Sequence, residues 1–78
     1  MDVELVEGPV VVGEYLQLVV RVEHDGAYEN FLVTILALGL YEFAPYNPEV
    51  QKAIKRILVE TEPQQRAMFE AMARTHST

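Results

Sequence analysis

Asp25-Gly26 sits between two stretches, Tyr15 to His24 and Ala27 onward, that read as the arms of one hairpin. A two-residue type I′ turn needs positive φ at both central positions, and Asp-Gly between alternating apolar residues is a strong short-range signal for it. Closing the chain there sets His24 against Ala27 and brings Val20 opposite Phe31, Leu18 opposite Val33 and Leu16 opposite Ile35. On the reverse face Arg21 meets Asn30 and Gln17 meets Thr34, with the apolar pairs Val19/Leu32 and Tyr15/Leu36 between them. Like meets like at nearly every rung, which is what fixes a strand register. Glu29 beside Val22 is the one mismatch, and it falls near the tip, where water reaches.

A second reading competes over 28–38. Tyr28, Phe31, Leu32, Ile35 and Leu36 also follow helical spacing, with Asp25 as N-cap and Gly39 just past the end. The strand is preferred because one register accounts for two segments at once and Val33-Thr34-Ile35 is a β-branched run. Against it, Phe31 to Phe43 is long for a single strand, and Gly39 must then be a bend.

The flanks complete the architecture. Val3 to Glu7 is a first, edge-like strand, with Gly8-Pro9 as its stop, and Gly13 marks a bulge or bend after the extended Val10-Val11-Val12. Asn47-Pro48-Glu49 opens a helix with an N-cap, Pro at the first position and an acid in the first turn. Its apolar stripe is Val50, Ala53, Ile54, Ile57 and Leu58. Thr61-Glu62-Pro63-Gln64 recaps the chain, with Thr61 as N-cap and Gln64 in the capping-box position. A last helix then turns Met68, Phe69, Ala71 and Met72 inward, and 75–78 frays. The prediction is one small α+β domain over 1–78: an antiparallel three-stranded meander within 3–43, and two helices, 48–60 and 62–74, packed on one sheet face.

Each face of such a sheet is largely apolar, and the helices cover only one. The reverse side therefore calls for a partner, most simply a second copy of the chain. The predicted interface is Tyr15, Val19, Arg21, Leu32 and Leu36, with Arg21 near the rim pairing with an acid of the other chain.

Composition restricts the chemistry. Without cysteine there is no disulfide, thiolate metal site or thiol nucleophile. Ser77 is the single serine, and the two histidines, His24 and His76, lie at a hairpin tip and in the tail, too few for a closed zinc shell. Glu29 and Glu42 are the acids with apolar neighbours and the remote candidates for a carboxylate pair. No catalytic residue, metal or cofactor is assigned. The net charge is −6, and the acids crowd the first 49 residues, where Arg21 is the sole cation. That balance disfavours a nucleic-acid or anionic-membrane partner. The opening residues lack a signal-peptide pattern and 31–41 is too short to span a bilayer, so a cytoplasmic protein is expected.

The leading functional expectation is a non-catalytic interaction or regulatory module acting as a homodimer, with another protein as a further possible partner. The alternative is a small-molecule or allosteric binding domain with a tyrosine-lined pocket. Tyr41, Tyr46, Lys52, Lys55 and Arg56 are the residues available to either as contacts, the three cations being balanced in part by Glu49 and Glu60.

Overall fold

At the Asp25-Gly26 turn the backbone takes φ of 53° and 79° in succession, the left-handed pair that a type I′ hairpin requires. The computed structural model describes residues 1–76, so expectations for Ser77, Thr78 and the His76 side chain fall outside it. From the turn run β2 (Tyr15–His24) and β3 (Ala27–Ala37), paired antiparallel from His24↔Ala27 to Leu16↔Ile35. That is the register read from the sequence, and 28–38 is strand rather than helix. A β-branched side chain at position 26 resists positive φ, while the space around it is open. Gly26→Val should therefore cost about 1–3 kcal/mol through backbone strain alone, to be read as a shift in the urea midpoint.

The sheet has four strands, in the order β1-β2-β3-β4, where the sequence suggested three. β1 (Asp2–Val12) does not stop at Gly8-Pro9. It runs on as a bulged edge strand, with register shifts on either side of Glu7, and its hairpin to β2 turns at Gly13-Glu14. The long segment 31–43 is broken by a turn at Leu38-Gly39, after which β4 (Leu40–Ala44) folds back on β3. Two apolar leucines flanking Gly39 had disguised that turn as continuous strand.

Asn47 caps the next element as expected, its Oδ1 accepting from the Glu49 N–H at 2.9 Å. The first turn, Pro48–Val50, is 3-10, and α1 (Gln51–Glu60) follows it. α2 (Glu62–His76) runs two residues beyond the predicted end, taking in Thr75 and His76, which were expected to fray. Thr61 joins the helices differently from a capping box. With φ −95° and ψ 4° it stays near the helical region, so its hydroxyl reaches back to the Ile57 carbonyl at 2.8 Å. The buried partner is then Gln65, not Gln64: Gln65 Nε2 donates to Thr61 Oγ1 and to the Leu58 carbonyl, each at 2.9 Å.

One sheet face and the helix stripe share a single core. Leu16, Leu18, Val20 and Val22 of β2 and Phe31, Val33 and Ile35 of β3 are buried against Val50, Ala53, Ile54 and Ile57. Val3, Tyr41, Phe43, Leu58, Met68, Phe69 and Met72 pack around them half-buried, whereas Ala71 is exposed. No helix among the described residues is long and apolar enough to cross a membrane.

Candidate functional site

Side chains of directly paired residues in an antiparallel sheet share a face. Val10↔Gln17, Val12↔Tyr15, Glu7↔Val19 and Val19↔Leu32 therefore assemble one surface on the side away from the helices. Val10, Val12, Tyr15 and Leu32 are 43–52% exposed there, and Val19 and Leu36 are half-buried. Four of the five predicted interface residues thus lie in a common apolar field, which Val10 and Val12 extend across the edge strand. Sequence reasoning missed those two valines because Gly8-Pro9 reads as a strand end. The two bulges each add one residue, so together they restore the alternation and return Val10 and Val12 to the face that Glu4 occupies.

Arg21, the fifth, closes the field at one end. Its guanidinium pairs with Glu4 of the same chain and lies over the Tyr28 ring, 5.4 Å from the centroid. Around it Asp2, Glu4 and Glu23 make that end acidic. In the middle of the face Gln17 Nε2 donates to Thr34 Oγ1 at 3.4 Å, and Glu42, paired with Thr34, extends this polar stripe across the sheet.

The second set of predicted contacts is only partly brought together. Tyr41 and Phe43 alternate with Glu42 along β4, and the rings of Tyr41, Phe43 and Tyr46 stack in succession, with centroids 6.5 and 5.7 Å apart. Phe43 also meets Phe31 edge-on at 6.1 Å, which ties this aromatic row to the core. Lys55 of α1 reaches the row and lines a surface hollow of about 420 Å³ with Tyr41, Phe43 and Tyr46. Lys52 and Arg56 are exposed elsewhere on the helix. Among the described residues neither the Arg56–Glu60 nor the Lys52–Glu49 pair closes, while on α2 Arg66 bonds Glu62, which holds its guanidinium above the ordinary value.

The acid candidates are separated by the sheet itself. Glu29 pairs with Val22 on the helix side, and Glu42 pairs with Thr34 on the reverse side. Both are exposed, so they do not form one carboxylate dyad. His24 Nε2 lies 3.5 Å from Asp25 Oδ2 at the hairpin tip, and no group of three potential metal ligands is assembled among the described residues.

No protein-family model, no curated protein and no solved structure matches the chain.

Proposed function

We propose that the chain is a non-catalytic interaction module of the cytoplasm that works as a homodimer through its reverse sheet face. The observation that carries this reading is the exposed apolar field of Val10, Val12, Tyr15 and Leu32 on a face no helix covers. Soluble monomers rarely leave this many large apolar side chains bare on one face, here on both sides of the polar row of Gln17, Thr34 and Glu42. Four strands spaced about 4.8 Å apart, each contributing several residues at about 3.4 Å, offer on the order of 1,000 Å² across two copies, enough for a specific pair. A twofold axis near Leu32 of β3 brings the patch onto itself and leaves Glu7, which pairs with Val19 on the same face, two strands away at the β1 edge. The acidic end at Asp2, Glu4 and Glu23 then acts as a rim, where like charges disfavour a shifted docking.

Sedimentation equilibrium at micromolar concentration should report twice the chain mass. Leu32→Glu should convert the dimer to monomer, because it sets two carboxylates against each other close to the axis. Since Leu32 is 43% exposed in the single chain, the variant's own folding should change by only about 0.5–1 kcal/mol. A monomeric wild type over that range refutes the proposal.

A further inference from the structure

The ladder of the central hairpin fixes which way the backbone of the last strand points. His24 and Ala27 flank a two-residue turn and form a hydrogen-bonded pair, so, counting down the ladder, Val33 and Ile35 also turn their N–H and C=O groups toward β2. Toward β4 they are then the non-hydrogen-bonded partners of Phe43 and Tyr41, and those two residues direct their own N–H and C=O groups outward, past the sheet margin. β4 is an edge strand, and among the described residues no backbone group of another element answers them. Two donors and two acceptors are left in a short row.

The space beside that row is open. The hollow of about 420 Å³ is lined by Leu40, Tyr41, Glu42 and Phe43, and successive side chains of a strand point to opposite faces, so a hollow that touches all four runs along the outer margin of β4. At its Leu40 end it adjoins a pocket of about 270 Å³ between the β3-β4 hairpin and the helices, in whose walls Leu40 and Tyr41 recur with Leu58 and Val59. Leu40 is 57% exposed and Val59 74%, bare aliphatic walls beside a core. On the helix side the margin is thus apolar and aromatic, and the exposed Tyr46 ring stacked on Phe43 continues it. On the reverse side it presents Glu42, which is exposed and forms no ion pair among the described residues.

We infer that β4 takes an extended segment of another protein as a fifth, antiparallel strand, with aliphatic residues opposite Tyr41 and Phe43 and a lysine or arginine between them, opposite Glu42. Main-chain hydrogen bonds to Tyr41 and Phe43 hold the segment, and its alternate side chains set which segment is held. The residue opposite Tyr41 turns toward the pocket of about 270 Å³, and the one opposite Phe43 packs beside the Phe43–Tyr46 stack. The cation between them meets Glu42 as a cross-strand pair of opposite charge. A second copy of β4 is the poorer occupant, because two such strands pairing about their midpoint set Glu42 directly against Glu42. The margin is a different surface from the reverse face, and the inference does not rest on the dimer.

The test titrates the full chain, labelled with nitrogen-15, with the peptide acetyl-Ser-Ile-Lys-Val-Ser-amide. One control peptide has glutamate in place of lysine, and another is N-methylated at isoleucine and valine, which removes the two ladder donors. Saturable shifts of the Tyr41 and Phe43 amides are expected below about 10 mM of the parent peptide. The glutamate peptide should bind about two- to fivefold more weakly, the N-methylated one not at all. Glu42→Lys, at an exposed position that leaves the fold intact, should reverse the order so that the glutamate peptide binds the tighter. The inference is overturned if those two amides show no saturable shift, if the N-methylated peptide binds as tightly as its parent, or if Glu42→Lys leaves the order unchanged. Shifts of the same amides that grow with protein concentration in the absence of peptide would give the margin to a second copy and equally overturn it.

Discussion

Replacing Ile54 by aspartate is expected to abolish folding. Ile54 is fully buried in the stripe of α1, within the single core that the helix shares with the sheet. The substitution removes about 2–3 kcal/mol of apolar burial. It also sets a carboxylate where no cation or hydrogen-bond donor is at hand, at a cost of several kcal/mol more. A chain of this length has only about 4–12 kcal/mol of total stability to oppose that. Far-ultraviolet circular dichroism with a thermal scan decides the matter: a native spectrum and a cooperative melt for Ile54→Asp would mean that α1 does not seat on the sheet as described.

The second large effect is expected from a single methyl group at position 8. Gly8 has φ +87°, and a Cβ there would stand 2.6 Å from the Gln17 carbonyl oxygen and 2.9 Å from Leu18 Cα. Both are backbone atoms of the central strand β2, held in ladders on either side, so neither can step aside as a side-chain tip would. The left-handed backbone costs an alanine about 1–2 kcal/mol. With the steric overlap added, Gly8→Ala should lose about 3 kcal/mol or more, within the range reserved for strained backbone and overpacking. Gly26→Ala is the control, having a comparable φ of +79° but nothing within 4 Å of its Cβ, and should lose only about 1 kcal/mol. Equal urea midpoints for the two variants would show that the bulge relaxes freely around the added carbon.

The central hairpin was legible because two local signals coincide there. Asp25-Gly26 fixes the turn, and the alternation from Leu16 to Val22 and from Phe31 to Ile35 fixes what faces what. The helix stripe was legible for the same reason of period, Val50, Ala53, Ile54 and Ile57 all being buried. What escaped was structure in which two opposite effects share a residue. Pro9 lacks an N–H, which ends a central strand but is tolerated on an edge, so β1 continues through it. The turn at Gly39 is hidden because its neighbours Leu38 and Leu40 are as apolar as strand residues, yet both are exposed. The pattern Thr61 to Gln64 fits a capping box only if Thr61 is extended. Its near-helical backbone instead moves the partnership one residue on, to Gln65. The pocket between the β3-β4 hairpin and the helices had no local signature at all, since Tyr41, Lys55 and Gln65 line it only when three separate elements have folded. The tyrosines and Lys55 were visible as candidates, but which of them stand together was decided by packing.

The bulged first strand also governs how the molecule can go wrong. A sheet with two free margins invites another extended chain to add on, and repetition of that step gives fibrils. Here one margin is β1, whose outer ladder is interrupted by two register shifts around Glu7 and by Pro9, which has no N–H to offer. The other is β4, only five residues long and followed at once by Pro45. An incoming strand finds an interrupted row of donors and acceptors on one side and only a short one on the other. The irregularity that costs β1 regular pairing thus protects an apolar, strand-rich chain from templating its own misassembly.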